Sequence, residues 1–203
     1  MLHFSTALDT ALSALKPLFE AYRIKVEERF DWVAKMKLDP DVAAGGKEID
    51  EFIDRIGKES LHAISACIVV TGDNVLKSTA HATFRKTIPN IGERELRRRS
   101  FGSIVTGKGG GRTSFGAALY AGANAFRHSE EWAAGGKPFP TTKAVLDVLG
   151  VSCDDEACTQ ILELMTRKGS PYVASFLTLK DFEIEIEIAA SQMWDAARKM
   201  APP

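Results

Sequence analysis

Cysteine is scarce in this 203-residue chain, with only Cys67, Cys153 and Cys158 present. An odd number, in a chain whose start reads as no secretion signal, argues against a disulfide framework and for a reducing cytoplasm. Cys153 and Cys158 lack a second close-spaced ligand pair, so semi-buried thiols are expected in place of a zinc site, and no metal or cofactor is implied. The opening "MLHFSTALDTALSALKPLF" has neither a basic n-region nor a small-residue cleavage site, and its apolar residues are spaced periodically. Long apolar runs are missing too: "ACIVV" is far short of the roughly 20 residues of a membrane span, so a soluble protein is expected. Glycine and proline, 16 and 8, are too few for a disordered chain, and a net charge of −1 leaves the whole chain near neutral.

What remains is an ordinary globular composition, 45% hydrophobic and 26% charged, of a length that suits one domain over 1–203. Leu8, Leu12, Leu15, Phe19, Tyr22, Val26, Phe30 and Val33 step by three and four, the signature of an amphipathic helix that Pro17 is expected to kink or divide. "DPDVAAGG" at 39–46 reads as a connection, and a second helical stretch runs from Ile49 to the region of Phe84, with "TGDN" at 71–74 as a possible break. Beyond Pro89 a short helix fits "IGERELRRR", and the Gly-rich 102–113 reads as a flexible loop. Helices fit "FGAALYAGANAFRHSEEW", with Thr113 or Ser114 as its cap, then "TTKAVLDVLG" and "CDDEACTQILELMTRKG". Trp32, Trp132 and Trp194 read as large packing residues near helix ends. "DFEIEIEIA" alternates with the period of a half-buried strand but runs into helix formers. The expected fold is therefore an all-α antiparallel helical bundle, with an α+β fold carrying one short strand at 182–188 as the alternative.

Charge is distributed unevenly. Residues 77–112 hold nine cations against Glu93 and Glu95, a local +7 that leaves −8 on the rest. Arg94, Arg97, Arg98, Arg99, Lys108 and Arg112 are the candidate nucleic-acid contacts, since a local positive field holds polyphosphate even when net charge does not. Base-stacking aromatics are not interleaved among them, and such clusters also occur as solvated helix faces. "GSIVTGKG" at 102–109 fits most of a phosphate-cradling loop, but Gly109 stands where a magnesium-binding hydroxyl is needed and no buried strand precedes it.

The sharpest cluster is "ANAFRHSEEW". When the segment is wound as a helix, the helical period places Tyr120, Asn124, Arg127, His128 and Glu131 all on one side. Phe115, Ala118, Leu119, Gly122, Ala125, Phe126 and Ala133 take the opposite, packing side. The polar side reads either as a solvated face with Arg127 and Glu131 as an i,i+4 pair or as a site. In the second case His128 exchanges protons, Arg127 holds phosphate or developing charge, Asn124 fixes a tautomer or substrate oxygen and Glu131 orients Arg127. Such a set suits phosphodiester cleavage without a metal.

The Asn-x-x-Arg-His-x-x-x-Trp run looks like a helix of some bacterial helical proteins, and the architecture with an Arg and His on one inner helix is similar to HEPN domains. The family pattern separates its Arg and His by four to six residues; here they are adjacent. The resemblance implies a helical bundle, often a homodimer, and in active members a metal-independent endoribonuclease of toxin–antitoxin or antiphage systems, with Arg127 and His128 in the Arg and His roles. RNA and a cognate protein partner are the partners it brings. The rival readings are a non-enzymatic helical interaction module and, third, a small-molecule or nucleotide-sensing domain using the Gly-rich 107–111 loop.

Overall fold

The computed structural model describes residues 2–38, 47–87, 101–166 and 177–200, with side chains described for 9–10, 12–35, 55–83, 101–166 and 177–199. In chain order these form α1 (Leu2–Leu38), α2 (Lys47–Thr87), β1 (Ile104–Thr106), β2 (Arg112–Ser114), α3 (Phe115–Ala133), α4 (Pro140–Leu149), α5 (Ala157–Met165) and α6 (Leu179–Met200). The fold is all-α, a helical bundle with one short antiparallel strand pair.

The helix α2 is the hub, packed against α1, α3, α5 and α6, while α3 in turn packs against α4 and α5. Along α1, Leu12, Leu15, Phe19 and Tyr22 are buried and face this centre, as their spacing predicts, whereas Phe30 and Val33, further along the same expected stripe, are exposed. Pro17 lies inside α1 without dividing it. It is exposed, so the helical carbonyl it leaves without an N–H can turn to water.

The "TGDN" stretch does not break α2 either. Gly72 is buried, and a Cβ there would fall 2.5 Å from the Phe182 ring of α6. The intrinsic cost of a mid-helix glycine, about 1 kcal/mol, is outweighed because its bare backbone lets Phe182 in. Phe182 itself meets Phe19 with ring centroids 5.3 Å apart and Phe115 at 5.5 Å, tying α1, α3 and α6 at one point.

Segment 182–188 is helix, and the strand alternative is overturned. Phe182, Ile186, Ala189, Ala190, Met193 and Ala197 are buried at helical spacing, the core stripe of α6. Ile184 and Ile188, 38% and 36% exposed, point elsewhere. The alternation arises because apolar residues occupy two faces of one helix, only one of which is covered.

The expected loop at 102–113 is instead a β-hairpin, pairing Ile104 with Ser114, Val105 with Thr113 and Thr106 with Arg112. It is anchored at both sides. Gly102 N–H donates to Gln192 Oε1 (2.7 Å) and Ser103 N–H to Glu185 Oε2 (3.3 Å) on α6, while Lys108 N–H donates to Leu149 O (3.0 Å) at the end of α4. Close approach demands glycine here: a Cβ at Gly111 would fall 2.1 Å from the Val148 carbonyl oxygen. Gly107 and Gly110 N–H groups also bond within the turn, so with Lys108 three of the amides that a phosphate cradle would offer are spent on the fold.

Candidate functional site

The helix α3 starts where its capping residue says it should. Ser114 Oγ accepts from Ala117 N–H (3.2 Å), and Phe115 and Gly116 N–H groups donate to Ser103 O and Phe101 O, so the first-turn amides are satisfied. It ends at Ala134, where Gly135 at φ +100° turns the chain and donates to Trp132 O. Ala118, Leu119, Ala121 and Ala125 are buried. Phe126 and Ala133, assigned by periodicity to the packed side, are exposed.

The five residues of the polar face go to three different places. Asn124 is buried and its amide donates to Thr142 Oγ1 of α4 at 3.2 Å. Tyr120, one turn earlier, is half-buried. Arg127 does not pair with Glu131. Its guanidinium donates to Asp73 Oδ2 at 2.9 Å and to Asn74 Oδ1 at 3.1 Å, both on α2. Asp73 is only 4% exposed, and Lys77, one turn further on α2, approaches the same oxygen at 2.6 Å. A nearly buried carboxylate is thus held by two cations, one from its own helix and one from α3, the compensation that burying such a charge requires.

His128 turns the other way. Its Nδ1 lies 2.9 Å from Glu131 Oε2, and its ring stacks on Trp132 (centroids 5.7 Å, interplanar 19°) and meets the edge of Phe139 at 4.9 Å. Phe139 immediately precedes α4 and also packs on Trp132 at 6.0 Å. The imidazole is therefore held on one nitrogen by a carboxylate and packed by two rings, with its side chain still 32% exposed. The Trp132 indole N–H, by contrast, is buried with no hydrogen-bond partner among the described residues.

Of the basic set, Arg94, Arg97, Arg98 and Arg99, with the short helix expected around them, lie outside the described residues. Lys108 caps α4 through its backbone and reaches Gln160 Oε1 of α5 through Nζ at 3.2 Å. Arg112, exposed on β2, lines a cleft against α6.

Sequence reasoning missed Asp73, Asn74 and Lys77. The signal was present, because Asp73 and Lys77 are an i,i+4 pair once α2 is read as continuous. Phe139 follows the glycines that stop α3, and only the fold shows it lying on His128.

The cysteines are placed apart from any such cluster. Cys67 is exposed, Cys153 half-buried and Cys158 buried. Burial pushes the Cys158 thiol up to about 12, and its S–H donates to Gly122 O at 3.4 Å. No three His, Cys, Asp or Glu side chains among the described residues are grouped to hold a metal, and no described helix is long and apolar enough to cross a membrane. Comparison with protein-family models, curated proteins and solved structures finds no match.

Proposed function

We propose that the protein is RNA-directed and HEPN-like, with His128 as the proton-transfer group of a metal-independent endoribonuclease in a cytoplasmic setting. The supporting observation is the 2.9 Å contact of His128 with Glu131 beside the Trp132 and Phe139 rings. A general base works best when a second group fixes its tautomer and packing fixes its ring. In this reading Glu131 accepts from Nδ1–H, leaving Nε2 to take the proton of an RNA 2′-hydroxyl as that oxygen attacks the adjacent phosphorus; the P–O5′ bond breaks, giving a 2′,3′-cyclic phosphate and a 5′-hydroxyl end whose oxygen takes its proton from water. Glu131 therefore orients the histidine and not the arginine. Arg127, committed to Asp73 and Asn74, is a positioning residue that fixes α3 against α2. Lys108 and Arg112 are the backbone contacts on the described part of the basic segment.

The test is incubation of labelled single-stranded and structured RNA with wild-type, His128→Ala and Glu131→Gln proteins in EDTA. Expected is wild-type cleavage that His128→Ala lowers by about 100- to 10,000-fold, the scale of a general-base contribution, and that Glu131→Gln lowers by less, since it removes only the group that orients the base. Wild-type-level cleavage by His128→Ala, or no cleavage by the wild type, removes the catalytic proposal.

Ile184, Ile188 and Trp194, each more than a third exposed on α6, favour a second reading as a helical interaction module that forms a homodimer through that helix. A dimer by light scattering that Ile188→Asp converts to monomer would favour it over cleavage.

A further inference from the structure

Between the hairpin and the C-terminal end of α6 lies a cleft of about 880 Å³. Its making is legible in α6, where Glu185, Gln192, Ala196 and Lys199 recur at 7, 4 and 3 residues along one stripe, the side that meets the hairpin. Glu185 and Gln192 hold the start of the hairpin, and beyond them Ala196 and Lys199 are left facing the cavity.

The lining is chemically divided. Arg112 from β2 and Lys199 from α6 are exposed cations, and neither has an ion-pair partner among the described residues. Both belong to the wall of one cleft, whose single carboxylate, Asp195, is paired with Arg198 at 3.1 Å, so the lining favours an anion, and a guanidinium fork matches phosphate geometry. Phe101, Ile104 and Ala196 supply an apolar wall. The Gln192 carbonyl is already taken by Gly102 N–H, which leaves its amide NH₂ as the donor, and Asp195, whose Oδ1 accepts from Arg198, keeps its second oxygen as an acceptor. Two cations, apolar side chains, and a donor and an acceptor in one lining are the needs of a phosphate, a flat base and its polar edge respectively.

We propose that this cleft binds a nucleoside monophosphate, with Arg112 and Lys199 on the phosphate and the Phe101 and Ile104 wall with Gln192 on the nucleoside. This site lies beside the Gly-rich turn, none of whose residues 107–111 line it, and it is made largely by side chains. It borrows nothing from the proton-transfer role of His128 and shares with the RNA proposal only Arg112. The ligand is either a free nucleotide or the phosphorylated end of an RNA strand.

Calorimetric titration of the full chain with AMP, CMP, GMP and UMP, with adenosine, and with a 5′-phosphorylated and a 5′-hydroxyl RNA tetranucleotide separates the cases. At least one monophosphate or the 5′-phosphorylated strand is expected to bind, and its phosphate-free counterpart at least about tenfold more weakly. Arg112→Gln and Lys199→Gln are each expected to weaken the bound probe by about tenfold, the loss of one charge-assisted hydrogen bond. Both residues are exposed, so the variants keep the fold, which circular dichroism checks. Binding of the phosphorylated strand alone assigns an RNA end; binding of monophosphates assigns a free nucleotide. Equal affinity for adenosine and AMP, absence of binding by every probe, or wild-type affinity in both variants overturns the site. His128→Ala should bind the nucleotide as the wild type does, so loss of RNA cleavage and loss of this site are read separately.

Discussion

Asp73 on α2 and Arg127 on α3 meet at 2.9 Å across the central helix pair, with the carboxylate residue 4% exposed and the guanidinium side chain 29% exposed. The asymmetry in burial decides what each deletion costs. A cation that loses Asp73 can swing into water, whereas Asp73 cannot be rehydrated. Arg127→Met should therefore cost about 1–2 kcal/mol while Lys77 remains, and Arg127→Met with Lys77→Met about 3–5 kcal/mol, as an orphaned buried charge does. Urea denaturation of the singles and the double measures this, and additive single effects would show the two cations to be independent.

Gly72→Ala should destabilise although alanine is the better helix former. The added methyl meets the Phe182 ring at 2.5 Å, and that ring is held between Phe19 and Phe115. Overpacking of this kind costs about 1–3 kcal/mol, more than the propensity returns. Thermal melts of Gly72→Ala, and of Gly72→Ala with Phe182→Leu, should show the second change recovering part of the loss.

Alanine substitution along α6 separates helix from strand. In a strand Ile184, Ile186 and Ile188 would share a face and cost alike. In the helix Ile186→Ala should cost about 2–5 kcal/mol and Ile184→Ala or Ile188→Ala under about 1 kcal/mol, since only Ile186 is buried. Equilibrium unfolding of the three variants checks the order.

That alternation shows where the sequence could be read and where it could not. Local signals held wherever the deciding contact was also local: Ser114 as the cap of α3, Gly150 in the left-handed position after α4, and the three- and four-residue steps of Leu12, Leu15, Phe19 and Tyr22. They failed where a distant residue supplied the reason. Gly72 reads as a breaker until Phe182, 110 positions later, is seen to need its space. The polar face of α3 is legible on the right helix, but Asn124, Arg127 and His128 answer to Thr142, Asp73 and Phe139, and periodicity cannot name partners outside the helix it describes. The hairpin is hidden because three-residue strands offer too little alternation to recognise.

The cysteines differ in reactivity by environment. The Cys158 thiol is raised from 9.0 to about 12 by burial, so the native state keeps its proton where the unfolded chain has lost it. A group whose folded value is raised contributes stability that falls as pH climbs through the interval, here from about 9 to 12. Unfolding free energy measured at steps across that interval should decline, with a shallower slope in Cys158→Ala. In native protein at pH 8 a thiol-reactive dye should label Cys67 quickly and Cys158 only after denaturant is added.

The short helix α4 is pinned at both ends. Lys108 N–H holds its last carbonyl at 3.0 Å, while Phe139 at its head lies 4.9 Å from the His128 ring and Thr142 is bonded to Asn124. Its ten residues, a rod of roughly 15 Å, contain no glycine and carry their proline only at the first position, so there is no joint between the two ends. It works as a tie-rod. The hairpin turn and the packing around the imidazole therefore share one straight, unjointed support, held by Lys108 at one end and by Phe139 and Thr142 at the other.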